Sequence, residues 1–499
     1  VYPPTIAAER PDATAFVMAD SGRALTYGEF DRTSNQLAHL LRERGVGAGG
    51  SLVLVMENRI EWPVVVAAGM RAGLFVTPLN WHLAAGELAA LLAEARPAVV
   101  VTSAALRATV AAALAGRAGV VRLCVDGADE GFEDFHGAIA NRPQTPIADE
   151  LLGARVLYSG GTTGRPKVFR QQLLGIHPAA APARHAGLAT KLGIDSSTVL
   201  LSPAPNYHAA PFTFGLIVLS LGGTVVCMEK FGAAAALDAL RRHGVTHSQW
   251  VPTMLVRLLQ VPDRDTIELS PAHRVAFTAG APCPVEVKNR INRWWGPILH
   301  EYYGASEGYG HTYISPDESR THPGSVGRPL DGVRVHIADE HAVPVPDGAV
   351  GRVWFERIDN SDNLNGDSHG WRSMGDSGYL DQDGYLYLAG RESFMIISGG
   401  VNIYPEEIEE ILITHPDVAD AAVFGVPDPE FGEQVKAVVE LRAGRIAGPD
   451  AERRLIEHCR TLLAHFKAPR SVEFTERLPR TPAGKLNKKN LRAQYLTAQ

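Results

Sequence analysis

The 499-residue chain is too long for one ordinary hydrophobic core, so at least two domains are expected. A formal net charge of -7 argues against nucleic-acid binding by the chain as a whole. Four scattered cysteines with no C-x-x-C pair argue against a zinc site or a disulfide framework and, with no basic-then-apolar leader in VYPPTIAAERPD, predict a cytoplasmic protein.

Tyr27, Phe30, Ser34, Leu37 and Leu41 recur at spacings of three and four and predict one helical face, with Gly45 as its cap. Strands are predicted at 52–56, 75–78 and 98–102, with helices over 61–72 and 87–95 between them. The uncharged run 209–228 approaches the length of a membrane span but contains Pro211, Gly215, Gly222 and Gly223, so it predicts a buried helix followed by the strand TVVCME. The alternation then resumes, with helices over 233–243, 254–260 and 285–295 and strands over 246–252, 274–280 and 298–304. Two such α/β runs predict two stacked α/β layers. From 324 to 355 the helical pattern vanishes and short strands and turns predict a small β-barrel-like subdomain. Beyond Arg391 the texture is that of a small α+β domain of about a hundred residues, a size that folds alone. The expected domains are therefore 1–391 and 392–499, with a hinge near Ser393.

The stretch LYSGGTTGRPKVFR (157–170) asks for a chemical reason. Gly160, Gly161 and Gly164 permit close backbone approach to an anion, Ser159, Thr162 and Thr163 add hydroxyl donors, and Lys167 adds a point charge. The spacing is neither G-x-x-x-x-G-K-[ST] nor G-x-G-x-x-G. On its own the loop supports an anion site, and a polar surface turn accounts for it as well.

The whole string closely resembles the phosphate-loop signature of the adenylate-forming superfamily, which holds acyl-CoA synthetases, peptide-synthetase adenylation domains and beetle luciferases. The resemblance continues in order through NYHAAPF (206–212), TAGAPCP (278–284), EYYGASEG (301–308), GDSGYLDQDGYLYLAGR (375–391), SGGVNIYPEEIE (398–409) and LPRTPAGKLNKK (478–489). Six further motifs in sequence order, which with the loop reach from Tyr158 to Lys489, make it specific.

The resemblance implies a role at each matching position. Ser159, Gly160, Gly161, Thr162, Thr163, Gly164 and Lys167 cradle the phosphates of ATP. Gly280, Ala281 and Pro282 line the adenine pocket. In the Glu301-Tyr302-Tyr303-Gly304 run the first tyrosine stacks on adenine, and Gly304 leaves room for the acyl group. Ser306 reaches the α-phosphate, and Glu307 binds Mg²⁺ as one carboxylate beside substrate phosphates. Asp376 accepts the ribose hydroxyls with help from Arg391. His208 closes the carboxylate site, and Ser398, Gly399, Gly400 and Asn402 line a channel for coenzyme A. Lys485 bridges the carboxylate and the α-phosphate, where a cation stabilises the transition state. Each has a plainer reading beside it: Glu307 a solvated carboxylate, Tyr302 and Tyr303 core aromatics, Asp376 a turn residue, His208 a structural histidine. The basic stretch 467–492, with eight basic and two acidic residues, also reads as a solvated face.

Five positions depart from the family pattern. Gly160 stands where Ser or Thr is usual, Val168 where Gly is usual and Ser306 where Thr is usual. Ser393 and Phe394 replace the usual Lys-Asp or Asp-Asp of the hinge.

These motifs imply an ATP-dependent ligase that converts a carboxylic acid to acyl-AMP with loss of pyrophosphate and then to acyl-CoA. An adenylate-forming enzyme serving a carrier protein or an amine is the alternative. Luciferase-type oxygenation and a non-catalytic nucleotide or acyl-CoA binder are more remote. Around His208 and 250–254, the residues Phe212, Trp250 and Met254 suggest an apolar pocket, though core packing explains them equally. No acidic partner for an amino-acid ammonium lies in 207–214. The expected acid is thus a medium- or long-chain fatty acid or a bulky alicyclic or aryl acid. No nucleic-acid partner and no membrane span are expected, and a homodimer stays open.

Overall fold

The computed structural model describes all residues except 1, 130, 160–166, 182–185, 282, 305–307, 359–369, 392–393, 399–400, 429–430, 482–483 and 497–499, and describes the backbone alone at 159, 167, 186, 265, 391, 401, 402 and 496. The chain divides into two compact units, Val1–Trp250 with Val261–Ala276, and Val251–Gln260 with Phe277–Gln499.

The first unit carries two sheets. One has seven strands in the order Glu133–Asp134, Val121–Cys124, Val99–Thr102, Ser51–Val55, Phe75–Pro78, Ala154–Ser159 and Lys167–Arg170. Its neighbours run parallel except the last, which turns back antiparallel on Ala154–Ser159. Ser51–Val55 is buried along its whole length, as a short apolar run in a parallel sheet covered on both faces must be. In the other sheet Val199–Ser202 lies between His247–Trp250 and Thr224–Cys227, and Thr14–Met18 with Ala24–Thr26 extends it.

Helix Tyr27–Glu43 is sandwiched in this unit. The five residues of its predicted face are all buried, and so are Asn35 and Gln36 beside them. The Tyr27 hydroxyl donates to the carbonyls of Leu219 and Gly223, while Arg42 Nη2 donates to that of Ala72, tying the helix to both layers. A capping box between Thr26 and Glu29 starts the helix, and Gly45, at φ +77°, follows its end. The uncharged run resolves into helix Ala209–Ser220, a turn at Gly222 and strand Thr224–Cys227. Among the described residues no helix is long and apolar enough to cross a membrane.

In the second unit Leu299–Gly304 pairs antiparallel with His311–Ile314, which pairs with Arg328–Pro329. A four-stranded antiparallel sheet follows, Val333–Ala338, Gly351–Arg357, Trp371–Leu380 and Leu386–Arg391. The helix-free stretch supplies its first two strands. The last part of the unit is a mixed sheet in which Gly432–Leu441 lies between Val418–Asp428 and Ser471–Thr475, with Ile396–Ser398 and Val401–Ile403 at one edge. Helices Pro405–Thr414 and Pro449–Leu462 share its core, where Ile396, Ile408, Leu412, Val423, Val439 and Leu455 are all buried. The boundary expected after Arg391 falls inside this second unit.

Candidate active site

In the first unit, strand Ala154–Ser159 pairs with Lys167–Arg170 so that Ser159 faces Lys167 across the ladder. The glycine-rich stretch is therefore the connection of an antiparallel hairpin whose first strand belongs to a parallel sheet. Gly160, Gly161, Thr162, Thr163 and Gly164 lie outside the described residues, and Ser159 and Lys167 are placed by backbone alone.

His208 immediately precedes helix Ala209–Ser220, and its amide donates to Pro205 O at 3.1 Å. Its ring lies 4.1 Å from that of Tyr207, which meets Trp81 edge-on at 4.8 Å. Phe212 is buried in the core, edge-on to Trp62 at 5.0 Å. Trp250 is also core, its indole N–H donating to Ser248 Oγ at 2.7 Å, and Met254 is buried in the second unit. Core packing thus claims all three residues that suggested an apolar pocket. Tyr207 is the aromatic beside His208 and Trp81 packs behind it; Tyr207 falls within NYHAAPF without a role assigned to it, and no sequence pattern singled out Trp81.

In the second unit, four of the motif segments meet. Gly280 sits at φ +91°, where an added Cβ would lie 4.0 Å from Lys485 Cε and 3.9 Å from Val251 Cγ1. Ala281 follows it, and Pro282 lies outside the described residues. On strand Leu299–Gly304 the side chains alternate. Glu301 is buried and accepts from Lys288 Nζ at 2.7 Å, both side chains being 4% exposed. Burial pushes the Glu301 carboxyl up against the opposing pull of Lys288. Glu301 therefore spends its carboxylate on a buried ion pair. Tyr302 is buried between Phe277 and His311. Tyr303 is the more open ring of the pair, and its hydroxyl donates to Asp376 Oδ2 at 2.7 Å. Gly304 has no Cβ because the His311 ring and Gly310 O fill that place, so its smallness is explained by packing rather than by open space. Burial also pulls the His311 pKa down to about 4. Ser306 and Glu307 lie outside the described residues.

Asp376 is 7% exposed and pairs across the sheet with Arg391. Tyr303, Asp376 and Arg391 are thus brought together by one strand pairing and one hydrogen bond. Ser398 ends strand Ile396–Ser398, and Asn402 lies opposite Ile397 on the returning strand; Gly399 and Gly400 between them lie outside the described residues. Among the described residues no group of three or more His, Cys, Asp or Glu could hold a metal ion.

Lys485 stands in a tight turn. Thr481 N donates to Lys485 O and Gly484 N to Thr481 O, each at 2.7 Å. Gly484 sits at φ +78°, where a Cβ would overlap Thr253 Oγ1 and press on Val251 Cγ2. Arg480 and Asp420, which brace this turn, were not singled out by the sequence; an arginine five residues before a lysine carries no signal without the fold.

Chemically, the second unit offers a carboxylate for a diol, an aromatic ring beside it, and a lysine ammonium next to a glycine turn. The model of an AMP-binding enzyme matches residues 4–359, and that of the AMP-binding enzyme C-terminal domain matches residues 407–485. The chain is 30% identical to a long-chain-fatty-acid–CoA ligase, FadD13, of Mycobacterium tuberculosis, over 97% of this chain and 96% of that one. It is 32% identical to a feruloyl-CoA synthase of an Amycolatopsis species, again over 97% and 96%. The crystal structure of ATP-bound MatB from Rhodopseudomonas palustris superposes with a TM-score of 0.83 at 28% identity, covering 99% of both chains.

Proposed function

The chain belongs to the AMP-binding enzyme family, and on that premise we propose that it is an ATP-dependent acid–thiol ligase. It activates a carboxylic acid as acyl-AMP, releasing pyrophosphate, and passes the acyl group to coenzyme A, releasing AMP. The observation that carries this reading is the position of Lys485, held in a tight turn with its Cε beside Gly280.

A carboxylate is a poor acyl donor because its leaving group would be oxide. Attack of its oxygen on the α-phosphorus of ATP forms the new C–O–P link and expels pyrophosphate, and no protein nucleophile is required. What the chain contributes is position and charge. Asp376 accepts the ribose hydroxyls, and Tyr303, rather than the more buried Tyr302, presents its ring to the adenosine. Gly280 and Ala281 leave the base against backbone. Lys485 neutralises charge between the carboxylate and the α-phosphate as it develops. The phosphate chain belongs to the hairpin loop with Thr162. Mg²⁺, held by Glu307 and the nucleotide's own phosphates, would add charge neutralisation, a donor set that suits an ion which keeps few protein ligands. In the second half-reaction the thiol of coenzyme A attacks the acyl carbonyl and AMP leaves, so Lys485 is no longer needed at the phosphate. A domain boundary at Arg391 with a hinge near Ser393 would let the chain beyond it, with Ser398 and Asn402, exchange places with Lys485.

We also propose an apolar acid, a medium- or long-chain fatty acid or a bulky alicyclic or aryl acid. Tyr207 beside His208, with Trp81 against Tyr207, supports it, as does the lack of an acidic residue in 207–214.

The test is incubation with ATP, Mg²⁺ and a panel of carboxylic acids, with and without coenzyme A, followed by mass spectrometry. Acid-dependent pyrophosphate and an acyl-CoA thioester are expected. Acyl-AMP without thioester would assign the acyl group to another acceptor, and no pyrophosphate with any acid would overturn the reading.

A further inference from the structure

The segment that presents Lys485 is closed by a bridge between Arg480 and Leu486. Within it, a single peptide group is gripped at both ends. The carbonyl of Gly484 accepts from Arg480 Nη1 at 2.8 Å, and the N–H of Lys485, on the other side of the same planar peptide, donates to Thr481 Oγ1 at 3.1 Å. With the plane fixed and Lys485 O held by Thr481 N at 2.7 Å, the Cα–Cβ direction of Lys485 is fixed too.

Arg480 is itself anchored. Its Nη2 donates to Asp420 Oδ1 at 2.6 Å, and its Nε donates to the other carboxylate oxygen, a two-point fork. The two side chains are 14% and 17% exposed, so the pair is largely shielded from solvent. Asp420 belongs to strand Val418–Asp428 and accepts also from Ala421 N at 2.9 Å, which fixes the carboxylate against the sheet. A chain of contacts thus runs from a sheet strand through Asp420 and Arg480 to the peptide that carries Lys485. Only a guanidinium can span it, because two of its N–H groups face the carboxylate while a third points to a carbonyl; an ammonium has one centre.

We propose that Arg480 is a positioning residue for the adenylation half-reaction, orienting the Lys485 ammonium by clamping the Gly484–Lys485 peptide against Asp420. The inference rests on the assignment of Lys485 to that half-reaction. A plain structural tie between the turn and the sheet would serve both half-reactions alike. A clamp on Lys485 serves only the step that uses it, and this difference is measurable.

The experiment assays the two half-reactions of the full chain separately: acid-dependent pyrophosphate release without coenzyme A, and thioester formation from supplied acyl-AMP. In Arg480→Met, kcat for adenylation should fall roughly ten- to a hundredfold, the scale of a misplaced catalytic group. The KM values for ATP and acid and the rate from acyl-AMP should stay within about twofold. Arg480→Lys should restore only part of the lost rate. Labelling of Lys485 by an amine-reactive acid anhydride, read by peptide mass spectrometry, should rise in Arg480→Met as the ammonium loses its fixed direction. If Arg480→Met does not fold, Asp420→Asn and Thr481→Val release opposite ends of the same clamp and should show the same one-sided loss. Equal loss of both half-reactions, or no loss of either, overturns the proposal. Lys485→Ala is the control: if it leaves adenylation intact, both the lysine assignment and the clamp fall, whereas if it abolishes adenylation while Arg480→Met does not, the clamp alone falls.

Discussion

The Tyr303 hydroxyl donates a 2.7 Å hydrogen bond to Asp376 Oδ2, joining strand Leu299–Gly304 to strand Trp371–Leu380. This bond orients the carboxylate proposed to receive the ribose diol. A hydrogen bond to a charged group contributes about 1.5–3 kcal/mol, and part of that is recovered from water when the phenol is removed. Tyr303→Phe should therefore raise the KM for ATP about five- to tenfold while leaving the KM for the acid near its starting value. Initial rates against ATP concentration check this, and an unchanged KM for ATP would remove Tyr303 from the nucleotide site.

Gly484 combines a left-handed backbone with an absent side chain, and its neighbour Thr253 leaves no room for one. Gly484→Ala should lower adenylation more than tenfold, since the turn must both strain and withdraw from Thr253. Pyrophosphate release in the absence of coenzyme A measures it.

Lys288 and Glu301 form a buried pair at 2.7 Å. Removing one partner leaves the other charge buried and alone, at a cost of about 3–5 kcal/mol. Lys288→Met should lower the denaturant midpoint strongly, and Lys288→Met combined with Glu301→Leu should recover much of the loss. If the double variant is no better than the single one, the pair is not the source of the cost.

Glu410, on helix Pro405–Thr414, has its carboxyl pushed up to about 7, chiefly by burial and against the opposing charge of Lys288. Between the ordinary value near 4.5 and about 7 the folded chain keeps a proton that the unfolded chain has released. Stability from this group is therefore present below that window and is lost as pH rises through it. Glu410→Gln should flatten the fall in thermal midpoint across those pH values and raise stability at pH 8 by about 1–2 kcal/mol, after allowance for its partial exposure. Thermal unfolding at a series of pH values tests the sign.

Much of the α/β organisation was legible because apolar periodicity reports burial directly. FVTP at 75–78 and the helix Val285–Trp295 fall where the pattern puts them, and the uncharged run at 209–228 divides at its glycines into helix and strand. Contacts between segments distant in sequence were not legible. The fork from Arg480 to Asp420 spans sixty positions, and the ring of Tyr207 meets that of Trp81 across more than a hundred. Nor could sequence tell which of two adjacent tyrosines faces the core, since a one-residue shift along a strand exchanges its faces. Phe394, a departure from the family at the expected hinge, gains a physical account: its ring lies 5.7 Å from Lys488 Nζ, and that ammonium is shared at 3.2 and 2.9 Å by Glu406 and Glu409. A cation over an aromatic face is an attraction that Phe394 makes without an acidic side chain.

Cys124, Cys227, Cys283 and Cys459 are all buried, and burial raises the thiol pKa of Cys227 and Cys459 to about 12 and that of Cys283 well above its usual range. To a thiol reagent in solution the folded chain should be nearly silent, because the thiolate is the reacting form. Two practical freedoms follow. Loss of free coenzyme A can be read colorimetrically with little background from the enzyme itself. A single cysteine placed at Ile446, which is 87% exposed, would accept a fluorophore without removal of any native cysteine, giving an optical handle on the chain beyond Arg391 during turnover.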